Sequence, residues 1–308
     1  MKEKLLVLMG PTASGKSALA MRAAPELGAE IVSMDSMMVY RGMDIGTAKP
    51  TTEERERVRH HLIDIVEPTE EYSVGRFCED AESVMEGIRE RGKRALVVGG
   101  TALYWRALTR GLFAGPPASW EVRSRLKEEA RENGTAPLHE VLRKADPEAA
   151  EKIHPNDLRR IVRALEVMEL TGRPMSEMQK SSPGIVDPKE AVVAAVKVPR
   201  ELLYERINRR VEAMFEAGLV KEVEGLVGKH GNLGRSASQA LGYREVLEYL
   251  DEARGLEETV ELVKKKTRHF ARRQLTWLRG FEETRWVETE DPEGEEAARA
   301  VLDVFSEA

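Results

Sequence analysis

The chain has 308 residues, 41% of them hydrophobic and 33% charged, enough to bury one large core or two ordinary ones and too apolar for disorder. Its 48 Lys and Arg against 54 Asp and Glu give a formal charge of −6, a balance that by itself argues against a nucleic-acid partner. A lone cysteine, Cys78, excludes an internal disulfide framework, suits a reducing compartment, and is expected to be a small buried hydrophobe.

The longest apolar runs, Leu5–Met9 and Ala191–Val196, are far too short to span a bilayer. The polar string after Met9 interrupts anything resembling a signal peptide, so a soluble, cytoplasmic protein is expected; a monomer is expected separately. Lys4–Met9 is closed by Gly10-Pro11, the pattern of a buried parallel strand. A helix is predicted from about Lys16, with Leu19, Ala20 and Ala23 at helical spacing. Ala29–Met34 predicts a second strand ending at Asp35-Ser36, and Arg94–Val98 a third ending at Gly99-Gly100-Thr101 before a helix from about Ala102. Strands alternating with helices imply a mostly parallel sheet, and such sheets place ligands at the carboxyl ends of their strands.

From Gly115-Pro116-Pro117 to Ser181-Ser182-Pro183-Gly184 no strand pattern is found. Ser119 is positioned to cap a helix that stops at Gly134, Asp146-Pro147 starts a short one, and Asn156 starts a longer one that ends at Thr171-Gly172. Ala191–Val198 then reads as a strand returning to the sheet, and the chain from Glu201 onward as mainly helical. The fold class expected is α/β: a P-loop parallel sheet flanked by helices (1–115 and 184–308) with an all-helical insertion domain (116–183).

Gly10, Pro11, Thr12, Ala13, Ser14, Gly15, Lys16 and Ser17 complete a G-x-x-x-x-G-K-[ST] signature, placed strand-before and helix-after. In such a loop, backbone N–H groups point at phosphate oxygens, the lysine adds charge, and the serine hydroxyl ligates Mg²⁺. No guanine-reading N-K-x-D string is present and no obvious strand ends in a Walker-B aspartate, so a kinase, an ATPase and a transferase gripping another diphosphate all remain open.

Asp35 is predicted at the same sheet edge, where a carboxylate takes or orients a proton on an incoming nucleophile; capping the next turn is the plainer role. Thr101 either donates to a substrate or caps its helix. His60-His61 lacks the context of a metal site, since adjacent histidines diverge on regular backbone.

The strings GPTASGKS (10–17), DSMMVYRGMDIGTAKP (35–50), HHLIDIVEP (60–68), VGGTALYWRAL (98–108), HPNDLRRIVRALEVMELTGRP (154–174), ALGYREV (240–246) and TRHFARRQLTWLRG (267–280) together resemble the tRNA dimethylallyltransferase (tRNA isopentenyltransferase) family from Leu5 to about Val287. The resemblance implies transfer of a dimethylallyl group from dimethylallyl diphosphate to N6 of the adenosine 3′ of the anticodon. Residues 10–17 then hold the diphosphate, with Mg²⁺ at Ser17 offsetting its charge. Asp35 matches the catalytic carboxylate that engages the adenine amino group, and Thr101 a residue touching the tRNA near the reaction. Asp35, Ser36, Met37 and Met38, Arg123, and the run Arg159, Arg160, Ile161, Val162 and Arg163 match tRNA-contact positions. Gln is usual in the family where Met38 stands, and Met lacks the paired hydrogen bonds that Gln makes to adenine. The chemistry agrees with the resemblance: an adenine amino nitrogen is a poor nucleophile, and a stacked loop base must be extruded to be reached.

On a helix, Arg159, Arg160 and Arg163 fall opposite an apolar face of Leu158, Ile161, Val162, Leu165 and Met168. Lys264, Arg268, Arg272 and Arg279 share an arc of about 80° on another. Arg268 and Arg272 are thereby expected at tRNA, with Arg210 and Arg244 as weaker candidates for diphosphate or RNA. From Trp286 to Ala308 there are eight acidic residues and one arginine; the rest of the chain carries 47 basic and 46 acidic residues. The acidity that argued against RNA belongs to the tail.

Overall fold

The computed structural model describes residues 4–111, 115–116, 118–180 and 184–306. The turn signals at Pro117 and at Ser181-Ser182-Pro183 lie outside the described residues.

The first half of the chain reads β1 (Leu5–Met9), α1 (Lys16–Glu26), β2 (Ala29–Met34), α2 (Thr52–Arg57), β3 (His60–His61), α3 (Val74–Glu90), β4 (Arg94–Gly99) and α4 (Ala102–Arg110). Five helices follow: α5 (Trp120–Asn133), α6 (Ala136–Ala145), α7 (Pro147–Lys152), α8 (Leu158–Thr171) and α9 (Met175–Lys180). The chain returns through β5 (Ala191–Lys197), α10 (Arg200–Glu216), α11 (Leu219–His230), α12 (Arg235–Ser238), α13 (Tyr243–Leu250), α14 (Leu256–Leu278), β6 (Thr284–Glu288) and α15 (Glu295–Ser306).

The six strands pair in the order β3-β2-β4-β1-β5-β6, and every pairing is parallel. Their carboxyl ends therefore share one edge. β1 is central, and Leu6, Val7, Leu8 and Met9 are wholly buried, which is why it reads as an unbroken apolar run. Leu6 and Leu8 pack with Leu19 and Ala23 of α1, Ile207 of α10 and Phe305 of α15. Removing the Phe305 side chain from such a site costs about 3–5 kcal/mol. Elsewhere α3 and α4 meet through the rings of Phe77 and Tyr104, stacked at 3.9 Å.

Contacts divide the chain into two compact units, 1–106 with 186–308, and 107–185; the expected insertion boundaries were 116 and 183. In the second unit, Leu126, Leu138, Leu142, Ile161 and Leu165 form a separate core. Ser119 caps α5 by accepting from the Val122 N–H at 3.4 Å, and Asp157 caps α8 by accepting from the Arg160 N–H at 3.2 Å. That long helix starts at Leu158, after the Asn156 expected, because the Asp157 side chain takes the capping position.

Three sequence expectations are corrected. β3 and β6 were not anticipated, being a two-residue strand and a polar edge strand with only Val287 buried. α6 was likewise missed, its Pro137 falling in the first turn where a helix tolerates it. Cys78 is half-buried on α3, and burial raises its thiol pKa to about 11, so it is a poor nucleophile at neutral pH.

Candidate active site

The phosphate loop follows β1 directly. Its backbone turns through positive φ at Ala13 (62°) and Gly15 (81°), and the buried Ser14 hydroxyl has no hydrogen-bond partner, leaving a donor inside the loop for an oxyanion. Pro292, in the β6–α15 connection, lies so close to Gly15 that a Cβ there would stand 2.5 Å from its carbonyl oxygen. Lys16 opens α1 and reaches the Pro11 carbonyl at 3.3 Å. Burial and, to a smaller extent, the charge of Arg210 lower its pKa against the opposing pull of Asp35, and the net value is about 8.

Ala13, Lys16 and Ser17 line a cleft of about 440 Å³ together with Arg206, Arg209 and Arg210 from α10, a size suited to a small ligand. Arg206 donates to the Ala13 carbonyl at 2.9 Å and is ion-paired to Glu293, which also lines the cleft. Burial lowers the pKa of Arg210; Asp35 opposes this and Arg206 adds to it. The cleft is thus a concentration of cations around a loop of N–H donors. Ser17 is exposed at the start of α1. Among the described residues no three metal-ligating side chains of the His, Cys, Asp or Glu type gather. A divalent ion at Ser17 would therefore be held mainly by diphosphate oxygens and water, a donor set that suits Mg²⁺.

Asp35 stands at the end of β2. Its Oδ1 accepts from the N–H of Met37 at 2.8 Å and of Met38 at 3.4 Å, an Asx turn that fixes the carboxylate. Thr101 follows β4 and accepts from the Ser36 N–H at 3.3 Å. The structure thus brings together Asp35, Ser36, Met37, Met38, Thr101, Lys16 and Arg210, and Thr101 organises the Asp35 turn. The Met38 sulfur receives the Ser33 hydroxyl at 3.7 Å.

The rest of the 35–50 segment is held by ion pairs. Lys49, buried, donates to the Tyr40 carbonyl at 2.8 Å and meets Asp44 and Asp64 at 2.6 Å each. Burial raises the Asp64 carboxyl pKa, but Lys49 and Arg55 outweigh that and leave it below its ordinary value. The two histidines carry structural contacts: His60 Nδ1 lies 2.7 Å from the Val58 carbonyl, and His61 Nε2 lies 2.6 Å from Glu30.

The residues expected at RNA divide. Arg159 and Arg160 are exposed on α8, the latter 3.3 Å from Asp157. Ile161 and Val162 are buried in the second unit's core, so their side chains are not RNA contacts. Arg123 and Arg163 both grip the fully buried Glu166, Arg123 with two bonds of 2.7 and 2.9 Å and Arg163 with one of 2.6 Å. Burial raises the Glu166 carboxyl pKa, but these arginines and the Ser119 N–H hold it below its ordinary value. That charge demands partners, and it takes both arginines out of the freely exposed set.

On α14 the expected basic stripe is interrupted. Lys264 is ion-paired to Glu212 at 2.6 Å and Glu261 at 2.7 Å, and Arg268 donates to Asn208 at 2.5 Å. Arg272 and Arg279 are exposed and line a separate cleft of about 870 Å³ with Tyr204 and Trp286. Glu288 and Glu290 share that cleft, so its mixed charge suits a diphosphate less well than the loop beside Lys16. Arg244 pairs with Glu248 at 2.9 Å.

Sequence reasoning missed Gln274 and Arg206. Gln274 is a polar residue at a core position of α14, in helical step with the buried Thr267, Ala271 and Leu278. That misfit in the pattern was the signal available.

The IPP transferase family model matches residues 38–281, and the isopentenyl transferase model matches 3–69. The tRNA dimethylallyltransferase of Geobacter metallireducens is 47% identical over 93% of each chain. That of Acetivibrio thermocellus is 45% identical over 96% of this chain and 94% of its own. The crystal structure of the full-length tRNA isopentenylpyrophosphate transferase of Bacillus halodurans superposes with a TM-score of 0.71 at 39% identity, covering 99% of this chain and 98% of its own. A eukaryotic dimethylallyltransferase, captured in crystals acting on tRNA, gives 0.80 at 28% identity over 99% of this chain and 80% of that one. On these matches over nearly its whole length, the chain belongs to the IPP transferase family, the tRNA dimethylallyltransferases.

Proposed function

We propose that this protein transfers the dimethylallyl group of dimethylallyl diphosphate to N6 of the adenosine 3′ of the anticodon in tRNA. The observation that carries the reading is the placement of Asp35 at the strand end beside Lys16 and Arg210, a carboxylate next to an anion site. The phosphate loop and the α10 arginines bind the diphosphate, which becomes the leaving group. Asp35, fixed by the Met37 and Met38 N–H groups, accepts the hydrogen bond of the adenine amino group as its nitrogen attacks C1 of the prenyl chain. The C1–oxygen bond breaks, inorganic diphosphate departs, and the amino proton passes to the carboxylate. Mg²⁺ at Ser17 supplies positive charge to the diphosphate when bound.

Thr101 orients the turn beside Asp35, and the extruded adenine approaches over Ser36 to Met38. Exposed Arg159, Arg160 and Arg272 contact the anticodon stem-loop through phosphates, supplying affinity that falls with salt. In this reading the protein acts as a cytoplasmic monomer.

The test is incubation with labelled dimethylallyl diphosphate, Mg²⁺ and unmodified tRNA. Label should appear on the tRNA and be lost in Asp35→Ala. Phosphate moving from ATP to a small acceptor with the tRNA unlabelled would make the protein a kinase. ATP hydrolysis driven by RNA without label transfer would make it a switch.

A further inference from the structure

Gln274 bridges the two loops that carry the opposing halves of the reaction. Its Oε1 accepts from the Thr12 N–H of the phosphate loop at 2.9 Å, and its Nε2 donates to the Gly100 carbonyl at 2.9 Å. Gln274 is 7% exposed, so these bonds face little competition from water. A Cβ on Gly100 would stand 2.3 Å from Nε2, so the turn approaches this closely only because glycine is there. The next residue, Thr101, accepts from the Ser36 N–H, and Asp35 precedes it. A continuous path therefore runs from Thr12 through Gln274, Gly100, Thr101 and Ser36 to Asp35.

We infer that Gln274 is a positioning residue that sets the separation between the diphosphate held by the phosphate loop and the adenine held at Asp35. The inference rests on the roles proposed above for those two elements. A carboxamide suits the position because it accepts from an N–H and donates to a C=O at the same time. A carboxylate does only the first; a carboxylic acid does both. The alternative is that Gln274 merely fills the interior of α14, and then only its volume matters.

Two variants separate these roles. Gln274→Met keeps the length and removes both bonds, and Gln274→Glu keeps the shape and makes the donor titratable. Labelled transfer to tRNA is measured for both and for the parent, with kcat and the KM of each substrate, from mildly acidic to mildly alkaline pH. Gln274→Met should lower kcat on the order of tenfold to a hundredfold, as expected for reacting groups held out of line, with the KM for tRNA unchanged. Gln274→Glu should recover activity relative to the parent as pH falls through its carboxyl pKa, because the protonated acid restores the donor to Gly100. Lys16 on α1, Asp35 after β2, Arg206 and Arg210 on α10, and Arg272 and Arg273 beside Gln274 are common to both proteins, so the ratio to the parent isolates what residue 274 changes. A Gln274→Met kcat within about twofold of the parent would overturn the inference, that margin being far below the expected misalignment cost. So would a Glu-to-parent ratio that stays flat with pH, and that reading stands even if the Met variant does not fold. A parent that transfers no label at all would instead remove the reaction assigned to Asp35 and the phosphate loop.

Discussion

Tyr243 donates its hydroxyl to Glu222 at 2.6 Å, and the same carboxylate collects the N–H groups of Asp44, Ile45 and Gly46 at 3.0, 2.7 and 3.3 Å. One side chain on α11 thus gathers a loop that begins at Asp35 and ties it to α13. Its removal strands several donors at once. Glu222→Ala is expected to cost about 2–4 kcal/mol, two or more part-buried hydrogen bonds, as read by urea unfolding. Glu222→Gln keeps an acceptor and should lose about half as much. A change below about 0.5 kcal/mol in Glu222→Ala would mean that the loop's other contacts, Lys49 among them, hold it without Glu222.

Lys16 makes diphosphate affinity depend on pH. In the free protein its ammonium loses a proton as pH rises through about 8, whereas a bound anion holds the proton on. Affinity for inorganic pyrophosphate should therefore weaken above that pH, with a limiting slope of about tenfold per unit, and binding should take up protons there. Calorimetry in buffers of different ionisation heat measures the uptake; its difference from Lys16→Met separates the lysine from the titration of pyrophosphate itself. The sign for stability is opposite to that of a group whose pKa is raised on folding. The folded value lies below the ordinary 10.5, so Lys16 costs stability below about pH 8, and the cost fades as pH rises toward 10.5.

The arginines that the sequence pointed to as RNA contacts should fall into two kinds. Arg163→Ala takes a partner from the buried Glu166 and should destabilise the protein by about 3 kcal/mol in urea, with Arg123 keeping the remainder. Arg272→Ala touches no such charge; it should leave stability within about 0.5 kcal/mol while raising the KM for tRNA, and that effect should shrink as salt increases. Equal tRNA KM for Arg272→Ala and parent at low salt would make that face of α14 simply solvated.

Met38→Gln restores a side chain with paired hydrogen-bond capacity beside Asp35. The KM for tRNA should fall by up to about tenfold, the low end of one base-reading pair, with the KM for the prenyl donor unchanged. A rise in tRNA KM would show that the thioether, seated against the Ser33 hydroxyl, is the better wall for the adenine.

The core strands were legible because burial on both faces forces a continuous apolar run, as at Leu5–Met9, and the phosphate loop because its spacing is set by backbone geometry. β6 was not, since an edge strand such as TRWVE buries only Val287 and carries little pattern. Arg159, Arg160, Arg272 and Arg279 are exposed, whereas Arg163, Lys264 and Arg268 are tied to neighbours, because spacing is blind to what stands opposite. Nothing in the local pattern around Arg123 announces Glu166, 43 positions away. Asp35 was found from its strand end; Gln274 needed the third dimension, because its partners Thr12 and Gly100 are remote in sequence and offer only backbone groups.

The contact of Pro292 with Gly15 has a consequence for the order of synthesis. β1 and the phosphate loop leave the ribosome before their supports, since the strand beside β1 on one flank is β5 and the strap over Gly15 follows β6. A half-made chain holds the loop sequence but neither the α10 arginines nor the Pro292 buttress. The anion site is therefore finished only once Pro292 has been made, and a chain stopped before it carries the signature without the grip.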